Sequence, residues 1–565
     1  MLFPCLLKAQ DIEKTLENAR LNLVVGDALE AYNSLEKIAL NHPENEQIQR
    51  AVLKSLSKLR KVKPLLRQWD FFKKNFPYQA FEISVLEQIA WTVLEEGSFS
   101  SSWSYQLTSL VGASWANDAK SVDFLHRGVL SSNLVVRRVA VSLLRGYRDE
   151  SLIEDLKNIL ESTRSSEVIE ESLQVIAAQN IVELLPYTQN LLEDNKISWD
   201  NKLVAAQVYV SLLQEKSHKQ IIEELSQSSY PPLKVVLCRS LESLQDEKFA
   251  DVLISLLEDE HYLVRLSAWR ALGILRPNDF LKTLQNIPLD AQEDVAMIQS
   301  WVGVLYEIKE SSNFFREKIL SEGVSKRRLA ASILSMSGEP GKKIMKKIFE
   351  ESDDDFVKAN LALGLLPLQE DREICMEFLY NFLRSQSQKL MFLPQKYFIG
   401  QTLLPSEIGY RPDIANFPQV VNQATRLQIL GILSENGYHQ ASDAFLDYLE
   451  SENWEIPLYA SFLYLEEGPS EAFEILKNIL VSTRDSKLKL KAALVLAFWG
   501  KDPQALTILE DSFSSVDRRQ QLYLLEAMGR VASKQSLPFL VEQLKDPSKR
   551  VRLIAAASLL QCLYH

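Results

Sequence analysis

The sequence predicts an all-α fold in which antiparallel helix pairs stack side by side into a superhelix, or solenoid. Three observations support this prediction. One segment has the apolar pattern of a complete helical hairpin, the pattern returns about every 30 to 35 residues, and the chain holds only 18 Gly and 20 Pro in 565 residues. So few residues of these two types leave little material for long linkers and favour a continuous helical array.

Residues 249–275 contain the hairpin. In its first half, apolar residues recur at i, i+3, i+4, i+7 and i+8 from Phe249 to Leu257, so they share one face of a helix. Polar residues interrupt that face, and a second apolar stripe runs from Val264 to Leu275. Neither helix can bury its stripe alone, and each pair must therefore stack on a neighbouring pair.

The same hairpin closes the chain at residues 537–563. Between the two copies, and before the first, the starts of second helices recur with regular spacing. One step, between Lys358 and Arg426, is about twice as long as the others. The positions that mark these starts are Arg137, Ile169, Val204, Val235, Arg265, Val295, Arg327, Lys358, Arg426, Pro457, Lys489, Gln520 and Arg552.

An Asp precedes a basic residue by six positions in both hairpins, as Asp259 and Arg265 and as Asp546 and Arg552. In these residues the sequence resembles the HEAT-repeat family. The resemblance implies an α-α superhelix of the HEAT or armadillo type, with repeats at residues 101–384 and 423–565. It also implies that the Asp and the basic residue form a polar ladder between neighbouring repeats, which gives both arginines a structural role.

Residues 1–100 follow a different helical pattern. Small and apolar residues from Ala19 to Pro43 resemble the tetratricopeptide repeat, in which small residues let the two helices of a pair approach each other. One period of about 34 residues later, Arg60 and Leu65 stand where that family has small residues. The resemblance implies one tetratricopeptide-like pair, a degraded second pair and an irregular third pair.

Residues 50–74 carry nine basic side chains and one acidic side chain, although the whole chain has a formal net charge of −12. Two interpretations of this stretch remain open. In the first, it is a docking face that binds an acidic partner or a nucleic-acid backbone. In the second, it is a solvated helix face whose long side chains cover apolar neighbours. The candidate partner-binding residues are Lys58, Arg60, Lys61, Lys63 and Arg67.

Residues 385–422 interrupt the repeat with four prolines and five aromatic residues. A long loop inside a regular array is either functional or seals an irregular packing step. Its aromatic side chains, with Tyr397, Phe398 and Tyr410 as the candidates, either line a groove for a peptide or fold onto neighbouring helices.

The apolar end of the chain, LLQCLYH, departs from the polar cap that closes most solenoids. It indicates either truncation of the family pattern or an end-to-end partner.

Motifs of catalysis and metal binding are missing from the sequence. The six histidines are scattered, the four cysteines show no CxxC spacing, and there is no phosphate-binding glycine loop or GxSxG elbow. We therefore expect no cofactor and no metal, and we expect the cysteines to be apolar core residues in a reducing compartment.

No apolar run is long enough to span a membrane, and the first ten residues are too short for a signal peptide. If Met1 is the true start, a cytoplasmic location is expected.

These patterns predict a non-catalytic protein-binding scaffold or adaptor that holds a protein or peptide on an extended solenoid surface. The net charge disfavours general adhesion to nucleic acid, and the oligomeric state is open. The HEAT resemblance leaves one alternative, because some HEAT-like proteins are enzymes of the chromophore lyase or DNA-base glycosylase type.

Overall fold

A computed structural model describes residues 3–212, 218–244, 246–368, 371–385, 423–441, 472–500 and 502–565. These residues form thirty α-helices and contain no strand. In chain order the helices are α1 Phe3–Val24, α2 Ala28–Asn41, α3 Glu46–Lys58, α4 Val62–Asn75, α5 Ile83–Ser98, α6 Trp103–Ala116, α7 Lys120–Val129, α8 Leu134–Leu143, α9 Glu150–Ser162, α10 Ser166–Gln179, α11 Leu185–Glu193, α12 Trp199–Leu212, α13 His218–Ser226, α14 Pro231–Leu244, α15 Ala250–Ser255, α16 Tyr262–Leu275, α17 Phe280–Asn286, α18 Glu293–Leu305, α19 Lys309–Ser321, α20 Val324–Leu334, α21 Gly338–Glu351, α22 Asp355–Leu365, α23 Arg372–Ser385, α24 Gln423–Glu435, α25 Ala472–Ser482, α26 Ser486–Phe498, α27 Ala505–Ser512, α28 Arg518–Val531, α29 Leu537–Gln543 and α30 Lys549–Tyr564.

The described residues pack as two units. The first unit combines Met1–Leu156 with Phe473–His565, and the second is Lys157–Ala472. The boundaries predicted at residues 100, 384 and 422 remain predictions.

Short polar side chains fix the starts of several second helices. The Asn133 carboxamide oxygen accepts hydrogen bonds from two backbone amides of α8, and the Asp354 carboxylate does the same at the start of α22. A reciprocal capping box joins Asp517 and Gln520 at the start of α28. Because these caps satisfy amides that have no partner inside a helix, the turn between two helices of a pair can stay short.

In the second unit, the second helices α10, α12, α14, α16, α18, α20 and α22 pack in order, each against the next. Their apolar stripes are buried where the sequence predicts, and Val264, Ala268 and Leu272 of α16 have no exposed surface. The prediction of an all-α stack of antiparallel pairs is confirmed. Every predicted start of a second helix lies within the first two turns of one, apart from Pro457, which lies outside the described residues.

The first four helices form two pairs, α1 with α2 and α3 with α4. Ala19, Ala31 and Leu65 are fully buried between helices. The two turns have similar geometry, because Gly26 has a φ of 89° and Arg60, at the equivalent position of the second pair, has a φ of 55°. The assignment of this segment to the tetratricopeptide family remains a prediction.

The last helix, α30, packs on α28 and α29 along one side and on α5 and α6 along another. In the first unit the second helices therefore follow one another in the order α26, α28, α30, α6 and α8. Leu553 and Ala557 of α30 are buried. A Cβ added to Gly97 would lie 2.6 Å from Leu553 Cδ2, and a Cβ added to Gly112 would lie 2.8 Å from Ala557 Cβ.

This packing corrects the interpretation of the apolar chain end. The LLQCLYH segment is neither the edge of a truncated array nor a surface left for an end-to-end partner. Its apolar side chains are covered by helices of the same chain, since α5 and α6 take the place that a following repeat would occupy.

Candidate functional site

A small cleft with a volume of about 30 Å³, called the groove below, lies where α12, α14 and α16 of the second unit meet. These helices follow one another in the row of second helices, so each contributes one or two turns to the groove wall. The apolar part of the wall consists of Trp199 and Leu203 from α12, Val235 from α14, and Leu263 and Leu266 from α16. An apolar wall built from adjacent helices is already formed before any ligand binds.

Stacked aromatic rings lie beside one end of the groove. Trp199 begins α12, and its ring stacks on His261 with centroids 4.6 Å apart and an angle of 11° between the ring planes. His261 in turn stacks on Tyr262, which is 40% exposed, at 5.5 Å. Burial lowers the pKa of His261, the charge of Arg265 lowers it further, and Asp259 partly opposes both. His261 is therefore neutral near pH 7 and stacks as an uncharged ring.

Charged side chains form the other end of the groove. Arg270 Nη2 donates a hydrogen bond to Glu242 Oε1 at 3.3 Å, and Arg239 lies beside them. Burial raises the pKa of Glu242, while the positive charges of Arg270 and Arg239 oppose the increase. The groove thus joins an apolar, aromatic end to a polar end that contains two arginines and one carboxyl group.

A ladder of ion pairs beneath the groove holds consecutive repeats in register. Lys234 Nζ lies 2.7 Å from Asp259 Oδ2 of the next repeat, and Arg265 donates two hydrogen bonds, of 2.6 and 3.0 Å, to the carboxylate of Asp290 in the repeat after that. Arg265 also donates to the carbonyl oxygens of Asp259 and Glu260, which ties down the turn before α16. The structural role expected for Arg265 is confirmed.

The same ladder continues in the first unit with one change. Arg518 pairs with Asp546 at 2.7 Å, and Arg552 donates to the carbonyl oxygens of Asp546 and Pro547. The acid that Arg552 faces is Glu96 of α5, with 3.7 Å between Arg552 Nη2 and Glu96 Oε2. The end of α5 therefore supplies the ladder position that a further repeat would supply.

The comparison with protein families bears on the groove directly, since residues 219–300 match the family described as HEAT repeats. Residues 219–300 therefore form HEAT repeats. The matched residues include α14 and α16, which carry seven of the nine residues that line the groove, whereas Trp199 and Leu203 of α12 precede the matched range. A search of curated proteins found no relative of this chain.

The structure places the predicted basic residues together around the turn between α3 and α4. Lys58, Lys61, Lys63 and Arg67 are exposed, and none has an acidic partner among the residues that the structure describes. Arg60 is also exposed, but its Nε lies 3.3 Å from Glu95 Oε2. Whether these residues bind a partner stays a prediction.

The other group of predicted residues cannot be placed. Tyr397, Phe398 and Tyr410 lie in the segment 386–422, which is outside the described residues, so both interpretations of their role remain open.

Sequence patterns did not predict the groove. A signal for it was present in Trp199, whose large ring opens α12 ahead of the mostly apolar run from Leu203 to Leu212. The pairing of Arg270 with Glu242 had no such signal, since the two residues belong to different repeats.

Two further properties concern chemistry and membranes. Within the described ranges, no group of three or more His, Cys, Asp or Glu side chains is placed to hold a metal ion. Each helix in those ranges is too short or too polar to cross a lipid bilayer.

Proposed function

We propose that this HEAT-repeat protein is a non-catalytic scaffold or adaptor that binds an extended segment of a partner protein in the groove across α12, α14 and α16. The observation that carries the proposal is the composition of the groove. An apolar wall with the half-buried indole of Trp199 at one end and two arginines at the other combines the residue types, aromatic and Arg, that are enriched in protein-recognition surfaces.

The fixed position of the groove supports a binding role. Its helices are held by the ladder of Lys234, Asp259, Arg265 and Asp290, in which the side chains are no more than 20% exposed. A partner segment would therefore meet a rigid surface and would lose little affinity to ordering of the protein. One small apolar side chain of that segment would fit beside Trp199 and Leu263, above the almost fully buried Leu203.

The proposal assigns no catalytic residue and keeps the cytoplasmic location expected from the sequence. Cys238, Cys375 and Cys562 are free and buried, which suits a reducing compartment. An enzyme of the lyase or glycosylase type would instead need convergent polar groups that act on a tetrapyrrole or a flipped base.

The test is affinity capture of the tagged full-length protein from native cell lysate with quantitative mass spectrometry. A groove variant carries Trp199→Ala and Ser267→Arg, which removes the aromatic wall and fills the groove. The control variant carries the same two changes at exposed positions outside the groove, Trp103→Ala and Ser255→Arg. We expect a saturable protein partner that the wild type and the control retain and the groove variant loses. Recovery of nucleic acid or a coloured small molecule without a protein partner would contradict the proposal and favour an enzyme.

A further inference from the structure

A basic face surrounds the turn between α3 and α4 and consists of Lys58, Arg60, Lys61, Lys63 and Arg67. Lys58 ends α3, Lys61 directly precedes α4, and Lys63 and Arg67 lie on successive turns of α4. Because the turn is short, these side chains project from one corner of the helix pair. Phe71 follows Arg67 by one further turn and is 39% exposed, which adds an apolar edge.

Two other basic side chains of the same stretch have acidic partners, whereas most of those on the basic face have none among the described residues. Arg50 pairs with Glu46 at 2.6 Å and with Glu82 at 2.7 Å, and Lys73 pairs with Glu542 at 3.2 Å. Within the part of the chain that the structure describes, only Arg60 of the basic face has a carboxylate partner. The face therefore keeps a local excess of positive charge on a chain of net charge −12.

Arg60 occupies a backbone conformation that disfavours its side chain. Its φ of 55° lies in the left-handed region, where the preceding pair of helices has Gly26. The guanidinium carbon lies 4.0 Å from the centre of the Phe99 ring, and Glu95 fixes the same group. These contacts hold a cation at a position where glycine would give an unstrained turn.

A second arginine lies behind Arg60. The Arg127 guanidinium is 4.8 Å from the centre of the same Phe99 ring and 4.7 Å from that of Phe124. Its Nε donates to Ser98 Oγ at 3.0 Å, whereas its Nη2 is buried and has no hydrogen-bond partner among the described residues. Burial lowers the pKa of Arg127, and so does the charge of Arg60, while Asp123 and Glu95 oppose the change. Arg127 remains charged at neutral pH and adds positive potential behind the face.

We propose that the basic face binds an acidic segment of a partner protein. Five exposed cations with one carboxylate partner among them are complementary to a run of Asp and Glu side chains, and Phe71 offers an apolar contact beside it. A single-stranded nucleic acid fits less well, because it stacks successive bases on several exposed rings, whereas this face offers Phe71 for that purpose. Trp69 and Phe72 are buried, and the ring of Phe99 is already in contact with two guanidinium groups.

This surface is separate from the groove of the proposed function. The basic face belongs to the first unit and the groove to the second, so each can fail or succeed without the other. The inference goes beyond the scaffold proposal in naming the chemistry of a partner.

The experiment measures binding of a short fluorescein-labelled polyglutamate peptide to the full-length protein by anisotropy at low ionic strength. A variant with Lys58, Lys61, Lys63 and Arg67 changed to Glu is compared with a control that has the same change of charge at exposed positions of the second unit, Lys282, Lys309, Lys343 and Lys347. We expect the peptide to bind the wild type and the control, and its Kd to rise about tenfold or more in the basic-face variant. An unlabelled oligothymidylate of equal charge serves as the competitor.

Three results would overturn the inference. The first is no binding of the peptide to the wild type, and the second is an equal loss of affinity in both variants. The third is tighter binding of the oligothymidylate than of the peptide, which would assign the basic face to nucleic acid.

Arg60→Gly separates binding from folding, because glycine suits the turn while the charge is lost. We expect this variant to be at least as stable as the wild type and to bind the peptide about twofold to threefold more weakly.

Discussion

The indole Nε1 of Trp91 donates a hydrogen bond to the hydroxyl oxygen of Tyr564 at 3.1 Å. Trp91 belongs to α5 and Tyr564 ends α30, so the bond joins the third helix pair to the last turn of the chain. Lys545 Nζ and Asp70 Oδ1, 2.6 Å apart, join the turn before α30 to α4 at the surface. The stack of the first unit is continuous across the two ends of the sequence because of these contacts and the apolar packing between them.

Close packing of α30 on α6 is possible because Gly112 has no Cβ. In Gly112→Ala the new Cβ would lie 2.8 Å from Ala557 Cβ, and neither group can move without shifting a helix. We expect a loss of about 1–3 kcal/mol in the local stability of α30, measured by hydrogen exchange of peptides from residues 549–564. Gly146→Ala is the control, since no atom lies within 4 Å of its added Cβ. Equal exchange in the two variants would argue against close packing of α30 on α6.

Arg265 connects two repeats of the HEAT region through two hydrogen bonds to Asp290, and two more bonds hold the turn of its own repeat. Its replacement by Ala leaves the Asp290 carboxylate, which is 13% exposed, without its partner. We expect a loss of about 1–3 kcal/mol in the free energy of unfolding, and an intermediate loss for Arg265→Lys, which cannot make the two parallel bonds. Urea unfolding of both variants, with exposed Lys282→Ala as the control, provides the measurement. A loss no larger than that of the control would contradict the ladder.

The lowered pKa of His261 predicts a specific dependence of stability on pH. Because the unfolded state binds a proton more readily than the folded state, the contribution of neutral His261 to the free energy of unfolding is complete above its ordinary pKa of 6.5. This contribution is lost as the pH falls through the pKa of the folded state. We expect the wild type to lose more stability between pH 7 and pH 5 than His261→Gln does. Thermal unfolding midpoints at several pH values test this, and parallel curves for the two proteins would exclude it.

Three buried thiols provide probes of the core. Burial raises the pKa of Cys238 and Cys562 to about 12 and that of Cys375 to about 11, so the reactive thiolate is scarce and covered. In a Cys5→Ser background, Ellman's reagent at pH 8 should react with no thiol of the folded protein and with all three after denaturation. Rapid reaction of one thiol in the native protein would show that its helix opens readily.

The repeat could be predicted from the sequence because it depends on local patterns. The apolar stripe of α16, with Val264, Ala268 and Leu272, is set by helical periodicity, and all three residues are buried. The Asp259 and Arg265 motif also located the ladder, although the actual partner of Arg265, Asp290, lies in the next repeat. Expected burial of the cysteines is confirmed for the three whose side chains are described.

Contacts between distant segments could not be predicted in this way. Nothing in the spacing of Gly97 and Gly112 indicates that Leu553 and Ala557 pack against them, because no local pattern encodes a contact between residues more than 400 positions apart. From the sequence alone, the exchange of Gly26 for Arg60 at equivalent turns predicts a degraded repeat. In the structure the turn persists, since Glu95 and Phe99 hold the arginine in place.

Site-specific photocrosslinking from the groove tests the central claim most directly. A benzoylphenylalanine residue would replace Ser267, which lines the groove, and in a control protein it would replace exposed Ser255, which does not. We expect irradiation in native lysate to produce a discrete protein adduct from position 267 and none from position 255. Trp199→Ala should reduce the yield of this adduct. Absence of any protein adduct at position 267, or an adduct with nucleic acid instead, would contradict a protein-binding role for the groove.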